Sequence, residues 1–127
     1  MKHKMYCIFA RESLEKMGGN RGKMAAQAGH AYLHAFWDAN RVSAETNKIR
    51  QAQAYYESER AYKIALVVDS VAELLVLQRK YQDICGTSLV EDAGFTVFSE
   101  PTITCLGLGP ISEDNIGDDI KALKVFM

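Results

Sequence analysis

The sequence predicts an α/β fold, a central sheet with helices on both of its faces. Three observations carry that expectation. Short apolar runs alternate with longer segments of helical character in the order β-α-α-β-α-β-β-α. The longest helical segment opens with small residues, which let another backbone approach closely. The chain has 127 residues, 48% hydrophobic and 24% charged, enough for one core but not two. A single domain over residues 1–127 is therefore expected.

Met5 to Ala10 (MYCIFA) is a short apolar run that stops at Arg11 and reads as the first strand. Arg11 to Arg21 contains Gly18, Gly19 and Asn20, the residues of a turn that opens a helix. A long helix is expected from about Gly22 to Asn40. Ala44 to Arg60 has no Gly or Pro and many helix formers, but is polar nearly all round, which predicts a second, mostly exposed helix. Tyr62 to Val68 (YKIALVV) is the clearest strand. Asp69-Ser70 with Glu73 caps a helix from Val71 to about Ile84, closed by Gly86, with Leu74, Leu75, Leu77 and Tyr81 on one face. Thr87–Glu91 and Thr102–Leu108 are two further strands. Pro110 should break the chain, Ser112 should start a short helix, and Ala122 to Met127 (ALKVFM) is apolar enough to dock on the core.

Composition excludes several classes. No apolar run approaches the roughly 18–20 residues of a membrane span, and Met5 to Ala10 is too short for a secretory signal. Cys7, Cys85 and Cys105 are far apart and lack zinc-type spacing, so they read as buried, reduced thiols of a cytoplasmic protein. Net charge is −1, but residues 1–63 carry 11 Lys/Arg against 6 Asp/Glu and residues 64–127 carry 4 against 10. That asymmetry fits either a basic face for an anionic partner or two halves that neutralise each other.

Two polar clusters carry the chemistry. In Gly22-Lys23-Met24-Ala25-Ala26-Gln27-Ala28-Gly29-His30-Ala31, only Lys23, Gln27 and His30 offer reactive or polar groups. A nucleotide-binding loop does not fit, because Met17 and Met24 stand where glycine and a hydroxyl residue are needed. A looser anion site at the helix start, with Arg21 and Lys23, competes with a simple solvated turn. His30 and His34 are spaced one turn apart, with Asp38 beyond, but no third metal ligand is evident. The second cluster is Asp92, Gly94, Thr96 and Thr102, at and after a strand end, where α/β folds place their chemistry and where a self-capping turn is equally at home.

Together the clusters are similar to the second (archaeal and eukaryotic type) family of peptidyl-tRNA hydrolases. The matching parts are Arg11, the GKxAAQxxHA pattern from Gly22 to Ala31, the DAGxT pattern from Asp92 to Thr96, Thr102, and Gly107-Leu108-Gly109-Pro110. They keep the family's order over almost the full chain. Phe95 stands where a basic residue is more usual, and Pro101 where glycine is. The resemblance implies a three-layer α/β/α sandwich around a four-stranded mixed sheet. It implies hydrolysis of the ester joining a peptide, or an N-blocked amino acid, to the terminal ribose of tRNA, with water as nucleophile. Lys23, Asp92, Thr96 and Thr102 would be catalytic. Arg11, Arg21, Gln27, His30 and Gly94 would bind substrate, with Arg41 a further phosphate contact. No metal or organic cofactor is implied; the partner is peptidyl-tRNA and the state a homodimer. The alternative is a non-catalytic relative of the same fold that binds a ligand or a protein.

Overall fold

In the computed structural model, residues 2–41, 43–58, 60–94 and 100–127 are described. Strand β1 (His3–Ala10) runs straight into helix α1 (Arg11–Met17). A turn had been expected over Arg11 to Arg21. Instead its first seven residues are helix formers that bury Ser13 and Met17, and Gly18, at a φ of 59°, closes the helix in the left-handed conformation. Helix α2 (Arg21–Ala39) is N-capped by Asn20, whose side chain accepts the Lys23 N–H at 2.9 Å.

Helix α3 (Thr46–Glu57) lies inside the expected span but is not polar all round in its surroundings. It buries Gln51, Ala52 and Tyr55. The Gln51 amide donates to the Ile84 carbonyl at 2.8 Å and accepts from the Ser112 N–H and the Asn115 side chain. Strand β2 (Lys63–Val68) leads into α4 (Val71–Tyr81), opened by a complete capping box of Ser70 and Glu73. Leu74, Leu77 and Tyr81 are buried as expected, whereas Leu75 is exposed. The helix ends five residues before Gly86, which serves packing rather than closure, as shown below.

Strands β3 (Thr87–Asp92) and β4 (Thr102–Ser112) complete the antiparallel side of the sheet. Pro110 does not break the chain. Between the pairs Lys4–Ile111 and Tyr6–Leu108 the register shifts, and this irregularity takes up a residue with no N–H to donate. A 3-10 turn (Glu113–Asn115) follows, capped by Ser112, then α5 (Asp118–Lys121) and β5 (Lys124–Val125). The sheet therefore has five strands, in the order β3-β4-β1-β2-β5, not the four expected. The extra strand is the apolar tail, which docks by pairing with Leu66 and Val67 and by laying Phe126 on Phe9, ring centres 5.0 Å apart. β1 and β2 are parallel and the other pairs antiparallel, so the sheet is mixed.

Alternation along β1 divides the core. Tyr6, Ile8 and Ala10 pack with Leu74, Leu77 and Tyr81 of α4, while Cys7 and Phe9 pack with Ala31 of α2, and Met5 with Ala35 and Tyr55. The small residues of α2 split in the same way. Ala31, Ala35 and Ala39 are wholly buried, whereas Ala25, Ala26 and Gly29 face outward. A methyl group at Gly107 of β4 would overlap the Ala31 carbonyl, and one at Gly86 would overlap that of Ala35. Helix backbone thus lies directly on sheet backbone. We expect Gly107→Ala to lower stability by about 2 kcal/mol or more. Gly29→Ala, whose methyl would meet nothing within 4 Å, should raise stability by about 0.5–1 kcal/mol. Urea unfolding followed by circular dichroism measures both.

Candidate active site

The first turns of α2 and the end of β3 meet at one corner of the sheet. Asp92 is the last residue of β3 and is only 5% exposed. A buried carboxylate needs donors, and α2 supplies two of them. Lys23 forms an ion pair with Asp92 Oδ2, and the Gln27 amide donates to the same oxygen at 3.3 Å. The third donor is local: the Gly94 N–H reaches Oδ1 at 2.8 Å, a turn that glycine permits at a φ of 87°. Lys23 first, then the Gly94 N–H, hold the Asp92 carboxyl below its usual range.

Gln27 is itself oriented from below. Its carbonyl oxygen accepts the Thr104 hydroxyl at 2.7 Å, which leaves the NH₂ for the carboxylate. Thr104 is fully buried and lies outside the expected site. In the ladder Val90 pairs with Cys105, but Glu91 pairs with Ile103, so Thr104 is the extra residue of a β-bulge. Simple alternation from Cys105 would send Thr104 to the opposite face. The bulge turns it toward α2 instead, and no pattern in the sequence marks it.

The other expected residues fall in three groups. Thr102 is the direct cross-strand partner of Asp92, with its hydroxyl donating to the Glu100 carbonyl at 2.9 Å. Directly opposed residues share a face, so Thr102 borders the cluster. Arg11 is turned away, its Nε lying 3.3 Å from Asp69 beyond β2, and Arg21 is exposed at the start of α2. His30 is exposed and stacks flat on His34, ring centres 3.9 Å apart. Partial burial, then the neighbouring His34, lowers its pKa. Thr96 and Phe95 lie outside the described residues.

Among the described residues no group of three or more His, Cys, Asp or Glu side chains could hold a metal ion. No described helix is long and apolar enough to cross a membrane. Cys7, Cys85 and Cys105 are free and buried, as expected, and the hydrogen bond with Cys105, then burial, pushes the Cys7 thiol up. Burial pushes the Cys85 thiol up as well, so Cys7 and Cys85 are poor nucleophiles.

Set on this scaffold, a paired ammonium and carboxylate flanked by an amide and hydroxyls can position a water and stabilise a developing oxyanion. The comparisons give that chemistry a family. The model of the family Peptidyl-tRNA hydrolase PTH2 matches residues 3–126. A peptidyl-tRNA hydrolase of Methanothermobacter thermautotrophicus is 40% identical over 121 residues, covering 91% of this chain and 96% of its own. That of Methanococcus vannielii is 39% identical over 111 residues, 87% and 89% of the two chains. One from Saccharolobus islandicus is 32% identical over 112 residues, 85% and 90%. The chain belongs to the PTH2 family of peptidyl-tRNA hydrolases.

The lowered pKa of Asp92 has a consequence for stability. Its ionised form stabilises the fold above the ordinary value of 3.8, and that contribution is lost as pH falls through the lower, folded value. The stability gap between the wild type and Asp92→Asn should stay level from about pH 7 to about pH 5 and close below about pH 4. Urea titrations at each pH read this directly; a gap indifferent to pH would remove ionisation of Asp92 from the account.

Proposed function

We propose that the chain hydrolyses the ester between a peptide, or an N-blocked amino acid, and the terminal ribose of tRNA. The observation that carries this reading is the Lys23–Asp92 pair, seated by Gln27 and Gly94, in a chain of the peptidyl-tRNA hydrolase family. Water attacks the ester carbonyl and a tetrahedral oxyanion forms. Collapse of that intermediate expels the ribose oxygen, which ends protonated as the hydroxyl, and the peptide leaves as a carboxylate. Lys23 stabilises the oxyanion. Asp92 orients Lys23 and the attacking water. Thr102 and Thr96 hold the water or the carbonyl through their hydroxyls, with Gly94 and His30 beside the substrate.

Arg11, Arg21 and Arg41 serve as phosphate contacts in this reading, so affinity for tRNA falls as salt rises. The excess of basic residues in the first half of the chain supports an anionic partner. The reading includes a single domain over residues 1–127 built as a three-layer α/β/α sandwich, which the separate packing of α4 and α2 against alternate residues of β1 supports. It includes a cytoplasmic location, favoured by three unpaired buried thiols. It also includes a homodimer, by likeness to the family. No metal or organic cofactor enters the mechanism.

The decisive experiment is hydrolysis of N-acetyl-aminoacyl-tRNA by the purified chain beside two variants. Lys23→Ala and Asp92→Ala should each lower kcat by about 10²–10³ while remaining folded. Thr104→Val, which removes the donor beneath Gln27, should cost about tenfold in turnover, since it acts only through the position of the amide. A folded wild type that releases no amino acid would point to the non-catalytic relative. Turnover untouched by either Lys23→Ala or Asp92→Ala would sink the mechanism.

A further inference from the structure

Beyond the hydrolytic cluster, one flank of α2 carries an aromatic series. At about 100° per residue, Lys23, Gln27, His30, His34 and Trp37 fall within about 40° of one line along the helix. Their order is chemical as well as geometric. Lys23 and Gln27 hold Asp92; His30 stacks on His34 with rings 3° from parallel; His34 meets Trp37 at 5.0 Å. Trp37 is 55% exposed, and Leu33 beside it is exposed as well. The core does not need this flank, because α2 packs on the sheet through Ala31, Ala35 and Ala39.

The charges along the flank favour an anionic occupant. The nineteen residues of α2 contain one acid, Asp38. That carboxylate is occupied by the Thr87 N–H of β3 at 3.0 Å and by Arg41, whose Nε lies 3.2 Å away. At the other end of the helix stand Arg21, exposed, and Lys23, whose charge is shared with Asp92. With a rise of 1.5 Å per residue, His30 lies about 10 Å and Trp37 about 21 Å along the helix from Lys23. Successive bases lie about 3.4 Å apart when stacked and farther when splayed, so this span suits a few unpaired nucleotides. Exposed aromatic rings in a row are the usual platform for such bases, because every base offers a flat face.

We infer that His30, His34 and Trp37 form a stacking platform for the unpaired nucleobases next to the esterified ribose. The platform rests on the hydrolase reading for its substrate: Lys23 and Asp92 meet the ester, and the strand leading to it lies along α2. These are binding residues, whose effect falls on KM rather than on the chemical step.

Trp37 is the one tryptophan of the chain, so its fluorescence reports this flank alone. The probes are a single-stranded hexaribonucleotide with the 3′-terminal tRNA sequence, a blunt RNA duplex and inorganic polyphosphate. The single strand should quench Trp37 saturably and the other two should not, and His34→Ala should weaken that binding about fivefold or more. With N-acetyl-aminoacyl-tRNA, Trp37→Ala should raise KM about tenfold with kcat within about twofold, and Trp37→Phe should restore most of the loss. Absent quenching, equal quenching by polyphosphate, or an unchanged KM in an active Trp37→Ala variant would overturn the platform and leave the hydrolase reading standing. Saturable quenching by the single strand in a chain that hydrolyses nothing would uphold the platform and sink the hydrolase reading. Emission that follows protein concentration rather than RNA, with dissociation of a dimer in Trp37→Ala, would make the flank a contact between copies and overturn the proposal.

Discussion

The direct contact between the backbone of α2 and the backbone of β4 governs everything else in this molecule. Gly107 beneath Ala31 and Gly86 beneath Ala35 remove the side-chain layer that normally separates a helix from a sheet. At that distance the side chains on the helix flank need little reach. Gln27 meets Thr104 on the sheet and Asp92 at its corner, and Lys23, one turn earlier, meets the same carboxylate. A helix held off the sheet by a layer of side chains would leave Asp92 with the burial cost of a charge and without the two donors that α2 supplies. Close packing and the ionised state of the acid are one structural fact.

The same economy appears in the hydrogen bonds of the corner. Each polar atom of Gln27 has one assigned partner, a hydroxyl below and a carboxylate above. Asp92 accepts through both oxygens from three donors in two segments: Lys23 and Gln27, one turn apart on α2, and the Gly94 N–H of its own loop. A fully satisfied network of this kind has one good arrangement and many poor ones. It fixes the ammonium and carboxylate relative to each other, and under the proposed mechanism that is the condition in which electrostatic stabilisation acts without reorganisation.

Much of this could be read from the residues. Lys23, Gln27 and Asp92 stood out because small or turn-forming neighbours left no other chemistry beside them, and the structure joins all three. The strands of continuous apolar character and the Ser70–Glu73 cap were legible because they are local. What escaped was non-local. Thr104 joins the cluster only through a bulge, which depends on the register of two strands and not on the pattern of one. Lys124 and Val125 become a strand because β2 offers them an edge, and β4 continues past Pro110 because its register with β1 shifts there. Gln51 looked like one more polar residue of an exposed helix, and its burial follows from three partners distant in sequence.

That buried amide marks the other pole of the molecule. β4 is eleven residues long and spans roughly 33 Å at about 3.3 Å per residue. It begins beside Asp92 and ends at Ser112, whose N–H donates to Gln51. Helix α3 is pinned at that far end by hydrogen bonds through one side chain and by Tyr55 against Met5. The working corner is therefore insulated from whatever is attached to the outward surface of α3. A fluorophore, an affinity handle or a solid support grafted there would touch none of the groups that hold Asp92.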